Sequence, residues 1–144
     1  MIGLDRANTA TYRANEFAVL KTLVAAKERF ADIGEKMNAA GIRLVVTHDA
    51  YQYLERRLGV PLAGMLTDYT EARAGARTLS HIRRILGPVC IILNPGIPAP
   101  EDLRPQAPRV MLDPMGADFS GEPDFIARYY GQIGDALEGC LNQP

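Results

Sequence analysis

Apolar residues in the N-terminal part of the chain recur at three- and four-residue steps, which predicts one long amphipathic helix over residues 8–38. Its apolar positions are Phe17, Leu20, Leu23, Val24, Phe30, Ile33 and Met37. About 30 residues at ~1.5 Å each make ~45 Å, which is longer than a compact domain of this size is wide. The segment is therefore either a strut between two lobes or two helices that break near Ala25 and Ala26.

Short apolar runs then alternate with shorter helical patterns along the rest of the chain. The runs predict strands at residues 42–47, 62–67, 89–93 and 109–112. Helices are expected at 49–58, with Gly59 as the C′ residue, at 77–86 and at 122–141, and the proline-rich segment 94–108 is expected to be a loop with one helical turn. This alternation predicts an α/β fold with a four-stranded parallel sheet, flanked by helices and preceded by the long helix.

Composition and charge restrict the class of protein further. The chain has 144 residues, of which 47% are hydrophobic and 23% charged, which suits one globular domain with a proper core. A net charge of −1 gives no reason to expect nucleic acid as a partner. No apolar run approaches the ~20 residues of a membrane span. The N-terminus lacks the features of a secretory signal, so the residues alone suggest a cytosolic protein or a chain from which the signal is missing.

His48 stands at the end of the first predicted strand, and Asp49 follows it in the first turn of the next predicted helix. Ligands of open α/β sheets bind outside the carboxyl ends of the strands, and a neutral imidazole at such a position is a good zinc ligand. A lone histidine at a strand end is nevertheless more often structural. The residues alone leave both interpretations open.

Several motifs, in order along the chain, resemble one protein family. Residues 47–54, Thr-His-Asp-Ala-Tyr-Gln-Tyr-Leu, resemble the His-Asp-Ala-Tyr-x-Tyr-Phe segment of zinc receptors, the periplasmic solute-binding proteins of bacterial zinc and manganese ABC transporters. Other similar positions are residues 5–15, Gly75, Leu79, Ile82, Cys90, 112–116 and 139–141. The resemblance implies a long interlobe-type helix at 1–40 and the α/β C-terminal lobe at 41–144, whereas the family's N-terminal lobe has no counterpart in this chain.

The resemblance implies that His48 and Asp113 are zinc ligands contributed by the C-terminal lobe. Without it, Asp113 would be interpreted as a helix cap or turn residue before Pro114. Family receptors hold zinc between two lobes, and two ligands cannot complete a four-ligand shell, so this chain alone is expected to bind zinc weakly. Manganese-type members tend to have Glu where His48 stands, and imidazole suits zinc better than manganese, so manganese is the less expected ion.

Cys90 and Cys140 have two interpretations. Cysteines of a cytosolic protein are usually free and buried. In the resembled receptors the equivalent pair forms a disulfide, so the resemblance implies a Cys90–Cys140 bond and a periplasmic location. Asp49 is interpreted as a helix cap; the alternative is that its carboxylate supports His48 as a hydrogen-bond partner. His81 is interpreted as a solvated surface histidine.

The resemblance implies a zinc-binding receptor. The residues themselves do not favour an enzyme, because the sequence has no Gly-rich phosphate loop, no Gly-x-Ser-x-Gly elbow and no Cys-x-x-Cys pair. The alternatives are a lobe that acts as an interaction module without metal, and a small α/β hydrolase that uses His48 and Asp113. The expected partners are the metal ion and a transporter permease. An uncovered lobe would expose Leu4, Tyr12, Phe17, Leu20 and the surface around His48 and Tyr51, which predicts a homodimer, with a zinc ion shared between chains as its extension.

Overall fold

Four parallel strands form the centre of the computed structural model, which describes residues 5–67, 74–119, 121 and 124–142. The strands are β1 (Arg43–Val46), β2 (Leu62–Met65), β3 (Val89–Leu93) and β4 (Arg109–Met111). The helices are α1 (Thr9–Ala39), α2 (Gln52–Leu58), α3 (Ala76–Arg83) and α4 (Phe125–Gly139), with 3₁₀ turns at Arg6–Asn8 and Ala117–Phe119. The strand order is β2-β1-β3-β4, and all three pairings are parallel. The predicted fold is therefore confirmed.

Both faces of the sheet are buried. Successive side chains of a strand point to opposite faces, and an apolar cluster lies on each face. On one face, Leu44 and Val46 of β1 pack with Cys90 and Ile92 of β3 beneath α1, α2 and α4. On the other face, Val45 and Ile91 lie in a second cluster with residues of α3 and of the segment after β3. No helix in the described part of the chain is long and apolar enough to cross a membrane.

Helix α1 is a single unbroken helix of 31 residues, so the alternative of two helices is wrong. Its buried residues are Phe30, Ile33, Gly34 and Met37, all in the second half. The first half exposes Phe17 by 71% and Leu20 by 53%, as expected from the sequence. The second half of α1 packs on the same core as the strands. The division of the chain into a helix at 1–40 and a lobe at 41–144 stays a prediction.

Two local predictions are wrong. Helix α2 begins at Gln52, and residues 47–49 form a bend closed by a hydrogen bond from the Ala50 N–H to the His48 carbonyl. Asp49 therefore caps no helix, and its carboxylate accepts from the Gln52 side chain at 3.1 Å instead. The helical turn predicted in residues 94–108 is not a helix either. The segment has three single i→i+3 hydrogen-bonded turns, donated by the N–H groups of Ile97, Leu103 and Ala107, and its five prolines lack the N–H groups that a longer helix needs.

Other helix and strand ends differ from the predicted ones by a few residues. Strands β1, β2 and β4 and helix α3 are shorter than expected, while β3 agrees at both ends. Gly59 follows α2 with φ 64°, as the predicted C′ residue should. Helix α4 begins at Phe125, and residues 122 and 123 of the predicted helix lie outside the described residues, as does Leu4.

Two long-range connections join helix α4 to the rest of the fold. The predicted disulfide is confirmed: Cys90 of β3 is bonded to Cys140, just after α4, with a Cα–Cα distance of 5.6 Å. The guanidinium of Arg29 on α1 donates to Glu138 at 3.0 Å, to Asp135 at 2.7 Å and to the Gly131 carbonyl at 3.2 Å. The final helix is thus attached to both the sheet and the long helix.

Helices α1 and α2 meet at Gly34, where the backbones approach too closely for a side chain. A Cβ at this position would lie 2.0 Å from the carbonyl oxygen of Leu58. Gly131 of α4 provides a contrast, because nothing lies within 4 Å of a Cβ placed there.

Removal of the disulfide should destabilise the protein strongly. The bond links residues 50 positions apart, and a loop of that length stabilises by about 4 kcal/mol in the chain-entropy model. A variant with both Cys90→Ala and Cys140→Ala should lose roughly 2–4 kcal/mol of unfolding free energy in urea denaturation. The wild type measured in reducing agent serves as the control and should show a similar loss. An unchanged denaturation midpoint in both would contradict the pairing.

Alanine at Gly34 should lower the free energy of unfolding by roughly 1–3 kcal/mol, because the added methyl group forces α1 and α2 apart. The matched control is Gly131→Ala, which has room for the methyl group and should stabilise by up to about 1 kcal/mol through helix propensity. Chemical denaturation of both variants measures the difference. Equal effects of the two substitutions would show that the close approach at Gly34 has no energetic weight.

Candidate metal centre

All four strands end at one edge of the sheet, because they are parallel, and a polar residue follows each of them. Asn94 directly follows β3, whereas His48, Thr67 and Asp113 stand two residues after the ends of β1, β2 and β4. We call this set of four residues the carboxyl edge. Both ligands predicted from the sequence lie on it, at the position where α/β sheets bind their ligands.

Buried hydrogen bonds connect the segments that follow β1 and β3. The hydroxyl of Thr47 donates to the Asn94 side-chain oxygen at 3.0 Å and accepts from the Asn94 backbone N–H at 2.9 Å. Both residues are buried. Thr47 immediately precedes His48, so this pair fixes the backbone from which the imidazole projects.

The His48 side chain is half-buried, and its Nδ1 atom lies 3.5 Å from the hydroxyl oxygen of Thr67. The same hydroxyl donates to the Thr47 carbonyl at 2.5 Å. Among the described residues, Thr67 and not Asp49 has the polar contact with the imidazole, and the supporting role considered for Asp49 is not observed. The second histidine, His81, is exposed on α3, which confirms its interpretation as a surface residue.

Asp113 closes a turn after β4. Its Oδ1 accepts from the Met115 N–H at 2.8 Å, and its Oδ2 accepts from the Ala117 N–H at 2.7 Å. Gly116 takes φ 62° within this turn, a conformation that favours glycine. A carboxylate has about four lone-pair positions, so these two bonds leave acceptor capacity for a cation. The turn interpretation and the ligand interpretation of Asp113 are thus compatible.

Tyr51 joins the two candidate ligand segments. Tyr51 stands three residues after His48. Its phenol is buried and donates to the carbonyl of Leu112, the residue before Asp113, at 2.9 Å. Burial raises the pKa of Tyr51 above its ordinary value, and the neighbouring Tyr129 and Asp113 raise it further. The phenol therefore stays a neutral donor at physiological pH.

His48 and Asp113 share an edge without forming a complete metal site. Strand β3 lies between β1 and β4, and two strand spacings of ~4.8 Å place the two backbones ~10 Å apart. Among the described residues, no three His, Cys, Asp or Glu side chains come together as a group that could hold a metal ion. A cavity of about 350 Å³ on the α1–α2–α4 side reaches Asp113 but not His48. Whether the two residues hold one ion stays a prediction.

Several polar contacts at or beside the carboxyl edge do not follow from the sequence. Thr67, Asn94 and the Tyr51 hydroxyl were not proposed as parts of the site. Thr67 and Asn94 each stand at the end of an apolar run, as His48 does, and that shared position was the available signal.

Removal of the Tyr51 hydroxyl should weaken the connection between the two ligand segments. Tyr51→Phe leaves the Leu112 carbonyl without its partner and should lower the free energy of unfolding by about 1 kcal/mol. Tyr53→Phe is the matched control, since Tyr53 is 86% exposed and its substitution should stay within roughly 0.5 kcal/mol of the wild type. Urea denaturation compares the two, and equal stabilities would mean that the Tyr51 hydrogen bond contributes nothing.

The chain is similar to proteins of zinc uptake. The family model described as the periplasmic component A of the zinc-uptake complex matches residues 1–130. The high-affinity zinc uptake system protein ZnuA of Brucella suis is 31% identical over 107 residues, which cover 69% of this chain and 32% of that protein. The ZnuA of Brucella abortus is 31% identical over 105 residues, covering 67% and 31%. The chain thus spans about a third of the length of these relatives.

Two solved structures, one of them of a solute-binding protein, have a similar fold. FpvC of Pseudomonas aeruginosa, in complex with Mn²⁺, has a TM-score of 0.67 at 18% identity, covering 96% of this chain and 53% of FpvC. A zinc-bound variant of AdcAII from Streptococcus pneumoniae has a TM-score of 0.61 at 20% identity, covering 94% and 52%. Identities this low show the fold alone, and the fold is that of about half of such a protein.

Proposed function

The chain belongs to the family of periplasmic zinc-uptake complex components, and from that premise we propose that it is the C-terminal lobe of a zinc receptor. The receptor would be the solute-binding protein of a bacterial zinc ABC transporter, and zinc would be its cargo. The relatives named above are zinc uptake proteins, FpvC is a solute-binding protein, and the AdcAII structure holds zinc. The zinc function of the whole receptor comes to this chain as a proposal.

The position of His48 carries this proposal. The imidazole follows a central strand at the carboxyl edge, is half-buried, and projects from a backbone fixed by the Thr47–Asn94 pair. Asp113 adds a carboxylate on the same edge, within a turn that its own side chain orders. In the proposal, His48 contributes a nitrogen and Asp113 an oxygen to one zinc ion, and the rest of the shell comes from outside the lobe.

Ligand chemistry supports zinc above manganese. Imidazole is a borderline ligand that suits zinc, whereas manganese prefers an environment of oxygen atoms. One of the similar structures, FpvC, was solved with Mn²⁺, so the fold itself does not select the ion. The selection in this chain would rest on His48 and on ligands from outside the lobe.

A binding role agrees better with these observations than catalysis does. The family and the fold are those of solute-binding proteins, which bind and release an ion without making or breaking covalent bonds. The hydrolase and the metal-free interaction module remain the alternatives. A zinc titration distinguishes the receptor from the metal-free interaction module directly.

The partners and the location follow from the family. The family is described as periplasmic, and a disulfide between Cys90 and Cys140 suits an oxidising compartment. We extend this to a periplasmic location for the chain and to a membrane permease that receives the loaded receptor. The homodimer stays a prediction, because none of the comparisons supports it. Light scattering at high concentration, with and without zinc, would test it.

Zinc binding should depend on His48 and Asp113. The wild-type chain should bind zinc weakly in calorimetry or in competition with a chromophoric chelator, since water must complete the shell. His48→Ala and Asp113→Asn should each weaken zinc binding at least tenfold. Loss of a residue that only supports a metal ligand already lowers metal affinity about 10–100-fold, and loss of the ligand itself should lower it no less. Manganese should bind the wild type less tightly than zinc does.

The chain provides matched controls for both substitutions. His81→Ala removes the other, exposed histidine, and Asp32→Asn removes an exposed carboxylate on α1, so neither should change zinc affinity. Equal losses in His48→Ala and His81→Ala would indicate nonspecific binding. No zinc binding by the wild type would favour the metal-free interaction module.

A further inference from the structure

The hydroxyl of Thr67 touches both the backbone before His48 and the imidazole of His48. Thr67 is only 7% exposed. Its Oγ1 atom lies 2.5 Å from the Thr47 carbonyl oxygen and 3.5 Å from the His48 Nδ1 atom. One hydroxyl thus serves two polar neighbours on the segment that follows β1.

The register of the sheet fixes the position of this hydroxyl. Strand β2 pairs directly with β1, and the pairing continues one residue past β2 through the Leu66 N–H, which donates to the carbonyl of Val46, the last residue of β1, at 2.9 Å. Thr67 follows at once and faces the segment that carries His48. The contact therefore depends on backbone pairing rather than on a mobile side chain.

The hydrogen atoms of this arrangement can be counted. A threonine hydroxyl has one hydrogen and two lone pairs, while a backbone carbonyl can only accept. In the 2.5 Å contact the Thr67 hydroxyl must therefore donate its only hydrogen to the Thr47 carbonyl. Toward His48 it presents a lone pair, so an attractive contact at Nδ1 requires the imidazole to carry its hydrogen there.

We propose that Thr67 is a positioning residue, which holds neutral His48 with its hydrogen on Nδ1 and so leaves the Nε2 lone pair free for zinc. This inference rests on the proposed zinc function. In neutral histidine the hydrogen bond made by one ring nitrogen determines which nitrogen is free for a metal. Zinc-bound histidines generally donate their second N–H to a neighbouring acceptor. A zinc ion on Nε2 would make Nδ1–H a stronger donor, so the 3.5 Å contact should shorten on binding.

The chemistry of the acceptor also suits a receptor. The nearest carboxylate in sequence, Asp49, is engaged by the Gln52 side chain. A hydroxyl orients the ring as a carboxylate would, but it adds no negative charge beside the ligand. The Thr67 contact thus orients His48 without the gain in basicity that a carboxylate in its place would give, which suits an ion that must later be released.

Two variants of Thr67 test the proposal, together with the wild type. Thr67→Val removes the hydroxyl at nearly the same volume, and Thr67→Ser retains it. Nitrogen-15 NMR of the metal-free chain, at a pH where both imidazoles are neutral, reports which nitrogen of His48 carries the hydrogen. Exposed His81 provides an internal reference in the same spectrum. Zinc titration of each variant gives the second readout.

In the wild type, His48 should have its hydrogen mainly on Nδ1, unlike His81. Thr67→Val should move the His48 tautomer ratio toward that of His81 and weaken zinc binding roughly tenfold or more. Thr67→Ser should restore both. A merely structural role of Thr67 would lower stability without changing the tautomer ratio of the folded protein.

Each contrary result overturns a defined part of the proposal. A wild-type His48 with its hydrogen mainly on Nε2 overturns it without any variant, so a Thr67→Val chain that fails to fold leaves it testable. A shifted tautomer with unchanged zinc affinity overturns the role of Thr67 in metal binding. A wild type that binds no zinc overturns the proposed function instead. The tautomer of His48, measured without metal, still tests the effect of Thr67 on the imidazole independently.

Discussion

The parallel pairing of β1 with β2 on one side and β3 on the other is the constraint on which the rest of the structure depends. It brings the carboxyl ends of these three strands to one edge, and it buries β1 on both faces, so helices must cover both. It also places Thr67 and Asn94 on either side of the Thr47–His48 segment. A shift of one residue in this register would turn the apolar side chains of β1 to the wrong faces and separate the hydroxyl of Thr67 from His48.

The fold could be predicted from the sequence to the extent that it depends on local pattern. Strand β3 agrees at both ends because Gly-Pro and Asn-Pro pairs bound its apolar run. The start of α2 was predicted too early, since the bend after His48 is closed by a backbone hydrogen bond that no side-chain pattern reveals. Helix α1 continues through Ala25 and Ala26 because alanine is the strongest helix former and no Gly or Pro interrupts the helix there.

The candidate site could be predicted only in part. His48 and Asp113 were found by resemblance to a family, and the strand pattern placed both at one edge of the sheet. The contacts of Tyr51 with Leu112 and of Thr47 with Asn94 join residues 61 and 47 positions apart, and the Thr67 contact depends on strand register. Such contacts follow from tertiary pairing, and a polar residue after each apolar run was the only trace that they leave in the sequence.

The energetics of the proposed zinc site follow from how its two residues are held. His48 projects from a backbone fixed on one side by Asn94 and on the other by Thr67, and Asp113 is held by two backbone N–H groups. A site ordered before the ion arrives needs little reorganisation on binding. Weak binding by this lobe would then reflect missing ligands rather than the free energy of ordering those present. Each ligand added from outside the lobe should therefore contribute nearly all of its interaction free energy to zinc affinity, because little is spent on ordering His48 and Asp113.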